Sequence, residues 1–203
     1  MYNKLFTGPM FSGKTRRLVT ELERYVIAKR HVVWFEPLID SRGESHGSFI
    51  TKRMEELKNS EYVHSFKIKK PEDVIIESQK LQKELRIEGI FIDEFFMIPF
   101  ERQFFYDYQN SNLKDIPLVF AGLIAGADSN LMPTTLQVLP FMDEIEKFNS
   151  ICMNCGKDAN YSYFVGDWNT ADPIDDGTNY KALCSDCYVK LTKQPLNHEH
   201  KRS

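Results

Sequence analysis

An eight-residue segment near the start of the chain, GPMFSGKT, constrains the fold more than any other feature of the sequence. It runs from Gly8 to Thr15 and matches the pattern G-x-x-x-x-G-K-[S/T] at every fixed position. A short apolar segment, Leu5–Thr7, precedes it, and apolar residues at helical spacing follow it. In that context the glycines let backbone N–H groups converge on phosphate oxygens, so the segment predicts a phosphate-binding loop. The alternative is a tight turn that carries an exposed lysine.

Each part of this loop has an expected task. Lys14 can reach the β- and γ-phosphates of a nucleotide, and the Thr15 hydroxyl can bind Mg²⁺. Downstream, the segment IFIDEFF ends an apolar strand at Asp93, where a residue that assists Mg²⁺ should lie, and Glu94 could take the proton from an attacking hydroxyl. The alternative for both carboxylates is a cap on the next element. The loop residues expected at the nucleotide are Gly8, Pro9, Met10, Phe11, Ser12, Gly13, Lys14 and Thr15.

Strand and helix candidates alternate along residues 1–149, which favours a P-loop-type α/β domain with a parallel sheet flanked by helices. The predicted strands are Leu5–Thr7, His31–Pro37 and segments within 89–96 and 116–123. The predicted helices run from Thr15 to about Lys29–His31, over 49–57, from Pro71 to a stop near Gly89, and over Pro133–Phe148.

Two C-x-x-C pairs occupy the C-terminal part of the chain: Cys152 with Cys155, and Cys184 with Cys187. Together they can build a tetrahedral zinc site, and four thiolates leave no open position on the metal, so this zinc should be structural. Disulfides are the alternative, although nothing points to secretion. The shift in composition near Ser150 predicts a zinc-binding domain over 150–192, followed by a flexible tail over 193–203.

Composition excludes several classes of function. The 203 residues carry a net charge of −3, with no strongly basic segment of the kind that binds nucleic acid. No apolar run approaches the roughly 20 residues of a membrane span. From the charge and the lack of a membrane span we expect neither nucleic acid nor membrane as partner. Because the N-terminal segment lacks the apolar region of a signal peptide, we expect a cytoplasmic protein.

The segment GPMFSGKT, the later strand ending in Asp-Glu and the two C-x-x-C pairs together resemble the thymidine kinase family found in animal cytosol, many bacteria and large DNA viruses. Two further segments extend the resemblance over nearly the whole chain. EPLIDSR resembles a family motif that would bring Asp40 and Arg42 near the triphosphate, and NYKALCSDCY resembles one whose tyrosine, here Tyr180, lies against the bound base.

The resemblance implies that ATP and Mg²⁺ bind at the phosphate loop and that a deoxyribonucleoside, thymidine first, is phosphorylated on its 5′-hydroxyl. Glu94 would act as the base, and the loop between the two cysteine pairs would close over the acceptor. Met10 and Tyr180 would contact the acceptor, as would Met97, which stands where the family has a base-stacking phenylalanine. Family members are usually homotetramers, so a homotetramer or dimer is expected. Removing the structural zinc should raise the KM for the nucleoside more than the KM for ATP.

The sequence departs from the family pattern mainly around the acceptor. Phe95–Met97 replace an alanine, a glutamine and a phenylalanine, residues 124–132 are rewritten, Phe164 replaces an arginine, and Asp175-Asp176 replace two glycines. Contacts of this kind decide which base is accepted. A kinase for another or modified pyrimidine nucleoside, and a nucleotide-binding protein without catalysis, therefore stay open as alternatives. A zinc-bearing nucleic-acid ATPase is a weaker one.

Overall fold

A six-stranded, all-parallel sheet forms the centre of the computed structural model, which describes residues 2–38, 49–166 and 178–192. Its strands are β1 (Lys4–Gly8), β2 (His31–Pro37), β3 (Val63–Ile68), β4 (Ile87–Ile92), β5 (Leu118–Leu123) and β6 (Glu144–Lys147). They lie in the order β3-β2-β4-β5-β1-β6. The phosphate loop follows β1, and Asp93 follows β4, so both lie at the edge of the sheet formed by the carboxyl ends of the strands.

Helices cover both faces of the sheet, as a parallel sheet requires. They are α1 (Lys14–Ile27), α2 (Phe49–Lys58), α3 (Pro71–Gln82), α4 (Arg102–Gln109) and α5 (Pro133–Val138). Successive strand residues point to opposite faces, so Leu5 packs into the core beneath α3, α4 and α5, whereas Phe6 packs into the core beneath α1 and α2. The predicted α/β architecture is therefore confirmed.

Two predicted helices have different bounds in the structure. The helix predicted over Pro133–Phe148 is wrong: α5 ends at Val138, a 3₁₀ turn follows, and the chain then forms β6 against β1. Pro140 explains the break, because proline has no N–H for a helical hydrogen bond. The helix from Pro71 ends at Gln82, and the predicted stop, Gly89, instead lies within β4.

The C-terminal part of the chain forms a small module, built from residues 150–166 and 178–192, that we call the four-cysteine module. Its elements are β7 (Ser150–Ile151), β8 (Asp158–Ala159), β9 (Tyr161–Phe164), β10 (Tyr180–Leu183) and α6 (Ser185–Thr192). Two antiparallel pairs, β7 with β8 and β9 with β10, surround a core that includes Cys152, Cys184 and Cys187. The domain boundary near residue 150 stays a prediction.

Of the helices in the described ranges, none combines the length and the apolar character that crossing a bilayer requires. The predicted homotetramer or dimer, the absence of a nucleic-acid partner and the cytoplasmic location stay predictions.

Candidate nucleotide and metal sites

The phosphate loop joins the end of β1 to the start of α1, as its sequence predicts. Gly13 immediately precedes α1 with a φ of 86°, a left-handed conformation that glycine adopts without steric cost. Gly8 is required for a different reason. A Cβ atom there would lie 2.5 Å from the carbonyl oxygen of Phe148 and 2.8 Å from Ser12 Oγ. The loop therefore packs its backbone against the end of β6 at a distance that no other residue permits.

Two polar side chains in this loop suit an anionic ligand. Ser12 Oγ is buried and has no hydrogen-bond partner within residues 2–38, 49–166 and 178–192. Leaving a buried hydroxyl unpaired costs on the order of 1–3 kcal/mol, and a phosphate oxygen would supply the missing partner. The Lys14 ammonium is buried and donates to the Pro9 carbonyl at 2.8 Å, which keeps the cation against the loop. The loop therefore fits the phosphates of a nucleotide.

Thr15 and Asp93, which the sequence assigns to Mg²⁺, meet in the structure. The Thr15 hydroxyl donates to Asp93 Oδ1 at 3.4 Å, and Asp93 is only 7% exposed. Burial raises the pKa of Asp93 to about 8, and the adjacent Glu94 carboxylate adds to the rise. A hydroxyl beside a buried carboxylate is an oxygen donor set of the kind that Mg²⁺ prefers, and a divalent cation would favour the ionised carboxylate.

Glu94 has a left-handed backbone, with φ 47° and ψ 38°, at the start of a 3₁₀ turn over Phe95–Met97. This conformation is unfavourable for a residue with a side chain, by roughly 1–2 kcal/mol. It turns the chain sharply out of β4, and the Glu94 N–H donates to Asp93 Oδ1 at 3.0 Å. Backbone strain of this kind clusters at functional sites, so the geometry agrees with a special task for Glu94.

The structure describes the three residues expected at the acceptor, and their contact with it stays a prediction. Met97 is half-buried in the turn after Glu94, and Met10 is half-buried in the phosphate loop. Tyr180 begins β10, and its ring centroid lies 5.1 Å from that of Phe164, the residue that replaces the family's arginine. Asp40 and Arg42, expected at the triphosphate, lie outside the described residues, as do Asp175 and Asp176.

A pocket of about 200 Å³ lies between the phosphate loop, the segment after β5 and the four-cysteine module. Its lining includes Pro9, Ala125 and Ser162. Residues 124–132 form a compact loop closed by a bridge between Ala125 and Leu131. The Tyr188 hydroxyl of α6 donates to the Ala127 carbonyl at 2.8 Å, which ties this loop to the four-cysteine module.

The four cysteines converge although 28 residues separate the two pairs. Their Sγ atoms all lie within 4.8 Å of one another, and the four thiols are free. Tetrahedral zinc with Zn–S bonds of about 2.3 Å places its sulfurs about 3.8 Å apart, so the cluster matches that geometry. The Cys155–Cys184 separation of 3.5 Å is too long for a disulfide, whose S–S bond is about 2.05 Å. The predicted clustering of the two pairs is confirmed.

One further contact supports a metal at these sulfurs. Asn154 Nδ2 donates to Cys187 Sγ at 3.4 Å, and hydrogen bonds of this kind orient thiolate ligands in metal sites. Cys184 directly precedes α6, and Cys187, the other cysteine of the second pair, lies in the first turn of this helix. The residues therefore fit a closed structural site, and a bound Zn²⁺ would hold the two cysteine pairs together.

A family model for thymidine kinases matches residues 2–188. The chain belongs to the thymidine kinase family. Thymidine kinases similar to it include that of Mesoplasma florum, 30% identical over 91% of this chain and 90% of that protein. The thymidine kinase of Amsacta moorei entomopoxvirus is 28% identical over 91% of this chain and 96% of that protein. The thymidine kinase of Pseudothermotoga lettingae is 28% identical over 94% of this chain and 96% of that protein. As a member of this thymidine kinase family, the chain is a phosphotransferase that acts on a nucleoside.

Two residues at the phosphate loop of this thymidine kinase family member were not predicted. Ser162 Oγ accepts a hydrogen bond from the Met10 N–H at 3.0 Å, and Ser150 Oγ donates to the Phe11 carbonyl at 3.2 Å. Both serines belong to the four-cysteine module. Because about 140 to 150 residues separate the partners, no local sequence pattern indicates these contacts.

Proposed function

We propose that this thymidine kinase family member transfers the γ-phosphoryl group of ATP to the 5′-hydroxyl of a deoxyribonucleoside, with thymidine as the leading acceptor. The observation that carries the proposal is the contact between Thr15 and Asp93, made by the same loop whose buried Ser12 hydroxyl has no partner among the described residues. Phosphoryl transfer depends on charge neutralisation and alignment rather than on covalent help from the protein. A cradle of amides, one buried lysine and a cation site supply both.

The phosphate loop holds the donor. Backbone N–H groups of Gly8–Thr15 and the N-terminus of α1 bind the phosphate oxygens, and the Ser12 hydroxyl gains its missing partner there. Lys14 leaves the Pro9 carbonyl for the β- and γ-phosphates. Thr15 and Asp93 would hold Mg²⁺, which when bound neutralises charge on the β- and γ-phosphates. Asp40 and Arg42 contact the triphosphate from the segment after β2.

Glu94 acts on the acceptor as a general base. It accepts the proton of the 5′-hydroxyl as that oxygen attacks the γ-phosphorus, and ADP leaves. Glu94 directly follows Asp93 in the chain, so the base and the cation site both lie just beyond the end of β4. A general base of this kind contributes roughly a hundredfold to ten-thousandfold in rate.

The acceptor binds on the side of the phosphate loop that faces the four-cysteine module. Its base enters the pocket of about 200 Å³ next to Pro9 and Ser162. Met10, Met97 and Tyr180 are not among the lining residues of this pocket, and their contacts with the acceptor are proposed from the family resemblance alone. The segment between the two cysteine pairs closes over the acceptor and excludes water, which would otherwise compete as phosphoryl acceptor. The four cysteines would hold a Zn²⁺ ion, which when bound would anchor both ends of that segment.

One observation favours a second candidate, a kinase for another or modified pyrimidine nucleoside. Phe164, which stands in place of an arginine, packs its ring against Tyr180 and brings no positive charge or donor to the acceptor. A site that hydrogen-bonds one base rejects others strongly, so this replacement can change the preferred acceptor.

The experiment that tests the proposal is a label-transfer screen with γ-labelled ATP, Mg²⁺ and separate nucleosides. Thymidine, deoxyuridine, deoxycytidine, 5-hydroxymethyldeoxyuridine and the purine deoxyribonucleosides form the panel. Labelled dTMP as the preferred product supports the leading function, and preference for another pyrimidine supports the second candidate. Transfer to no nucleoside, with intact nucleotide binding, contradicts both and leaves the nucleotide-binding protein without catalysis.

A further inference from the structure

Two hydrogen bonds connect the four-cysteine module to the backbone of the phosphate loop. The Met10 N–H donates to Ser162 Oγ, and Ser150 Oγ donates to the Phe11 carbonyl. Ser150 is 6% exposed and Ser162 is 4% exposed, so water does not compete strongly for either contact. The module therefore contacts two successive residues of the loop at their polar backbone groups.

Each hydrogen bond fixes the orientation of one peptide plane. In a planar trans peptide, the carbonyl and the following N–H point in opposite directions. The Phe11 carbonyl shares its plane with the Ser12 N–H, so the bond from Ser150 determines where that N–H points. The Met10 N–H shares its plane with the Pro9 carbonyl, which accepts from the Lys14 ammonium. Before a nucleotide binds, Ser162 and Lys14 therefore contact opposite sides of the same peptide.

The loop needs such external support. Phe11 has a φ of 62°, a conformation that is unfavourable for a residue with a side chain. Phe11 as a whole is 51% exposed, so packing of its side chain gives the backbone little support. The bond from Ser150 acts directly on the carbonyl of this strained residue.

Both serines lie close to the cysteine pairs, in the chain or through strand pairing. Ser150 lies two residues before Cys152, and in β7 it pairs with Ala159 of β8. Ser162 pairs in β9 with Ala182 of β10, two residues before Cys184. A shift of either cysteine pair would therefore move the serine that contacts the loop.

We propose that Ser150 and Ser162 are positioning residues through which the metal-binding module orients the phosphate loop for its nucleotide. The inference rests on the proposed function in assigning nucleotide phosphates to this loop. It changes the expected result of metal loss. From the sequence, zinc removal acts mainly on the nucleoside, whereas these two contacts make it weaken nucleotide binding as well.

The test compares wild type with the double variant Ser150→Ala/Ser162→Ala and with the conservative variant Ser150→Thr/Ser162→Thr. Ser78→Ala is the matched control, because Ser78 is a buried serine in α3. Binding of a non-hydrolysable ATP analogue with Mg²⁺ is measured by calorimetry. Hydrogen exchange over residues 8–15 is measured without nucleotide, and zinc content and Tm are measured for every variant.

The double alanine variant should bind the analogue about tenfold more weakly, as expected for the loss of two buried hydrogen bonds. Its KM for ATP should rise by a similar factor. Because Ser162 also lines the pocket proposed for the acceptor, the KM for the nucleoside is not a criterion in this test. The Met10 amide should exchange about tenfold faster. Zinc content should stay near that of wild type, and Tm should fall by only a few degrees, as expected for the loss of two hydrogen bonds without unfolding of the module. The threonine variant keeps both hydroxyls and should recover most of the affinity, and Ser78→Ala should match wild type in affinity and exchange.

A second arm removes the metal from wild type and from the double alanine variant by chelation, followed by dialysis into buffer with Mg²⁺. Metal removal should weaken analogue binding in wild type by about as much as the two alanines do. It should cause little further loss in the double variant, because residues that act along one route are not additive. Equal losses in both proteins would overturn the inference.

The two readouts separate this inference from the proposed function. Unchanged analogue affinity together with unchanged Met10 exchange in the double alanine variant overturns the positioning role, whatever the enzyme phosphorylates. If wild type binds nucleotide but phosphorylates no nucleoside, the proposed function fails while affinity and exchange still decide the positioning role. If wild type binds no nucleotide, both fail together.

Discussion

The Thr15 hydroxyl donates to the carboxylate of Asp93 at 3.4 Å, although 78 positions separate the two residues in the chain. Thr15 lies in the first turn of α1, and Asp93 follows the last residue of β4. The strand order explains the meeting, because only β5 lies between β4 and β1. The sheet therefore brings the carboxylate to the phosphate loop at the carboxyl ends of its strands.

Replacing the buried carboxylate tests the cation site. Asp93→Asn keeps the size of the side chain but removes a charged oxygen that would hold Mg²⁺. We expect kcat to fall about a hundredfold or more, because the cation neutralises charge in phosphoryl transfer. Nucleotide affinity measured without Mg²⁺ should change little. Asp107→Asn, at an exposed position of α4, is the control and should behave as wild type. Full activity in the Asp93 variant would remove this residue from the mechanism.

Two glycines of the phosphate loop should differ in their tolerance of alanine. In Gly8→Ala the new methyl group meets the Phe148 carbonyl oxygen at 2.5 Å, whereas at Gly13 nothing lies within 4 Å. Gly13→Ala should cost roughly 1–2 kcal/mol of stability from its backbone alone. Gly8→Ala should cost clearly more, because backbone must move to accept the methyl group. Urea unfolding of both variants measures the difference, and equal losses would contradict the close packing at Gly8.

Filling the pocket beside the phosphate loop should affect the acceptor alone. Ala125→Leu places a larger side chain in the pocket of about 200 Å³ that we assign to the base, and so reduces its free volume. The KM for the nucleoside should rise about tenfold or more, since lost apolar contact and overpacking each cost about 1–3 kcal/mol. Affinity for the ATP analogue should stay the same. Ala28→Leu, at an exposed position after α1, is the matched control. An unchanged nucleoside KM would place the base elsewhere.

A histidine pair on the edge of the sheet should make stability depend on pH. His31 Nδ1 and His64 Nε2 lie 3.3 Å apart, and the Tyr62 ring packs against His31. Burial lowers the pKa of His64, and the charge of His31 lowers it further. Below about pH 6.5 the unfolded chain then binds more protons than the folded chain.

Stability should therefore be greatest above about pH 6.5 and should fall as the pH decreases through the lowered pKa of His64. His64→Gln should reduce this loss between pH 7.5 and 5.5. Urea midpoints at both pH values, for wild type and variant, give the comparison. Identical pH dependence in the two proteins would show that the pair contributes nothing.

Local sequence patterns predicted most of the central sheet and the order of the phosphate-binding elements. They failed where tertiary structure decides. β3 was not predicted, because its sequence VHSFKI alternates only weakly and its order comes from pairing with β2. Residues 133–148 carry apolar residues at helical spacing, yet Pro140 stops the helix and β6 pairs with β1. Pro140 was the signal in the sequence that could have revealed this break.

The candidate site divides in the same way. Thr15 and the four cysteines belong to motifs of fixed spacing, whereas Asp93 was predicted from its place at the end of an apolar strand. The structure brings Thr15 to Asp93 and brings the four sulfurs together. The serine contacts of the four-cysteine module join residues far apart in the chain, so only the folded structure reveals them. The role of Glu94 stays a prediction.

The most direct test of the central claim is the effect of Glu94→Gln on phosphoryl transfer and on ATP binding, measured side by side. Glutamine keeps the shape of the side chain but cannot accept the proton of the 5′-hydroxyl. We predict that transfer from γ-labelled ATP falls about a thousandfold, while the dissociation constant of the ATP analogue with Mg²⁺ changes less than about twofold. Transfer at the wild-type rate, or loss of nucleotide binding together with transfer, would contradict the assignment of Glu94 as the base.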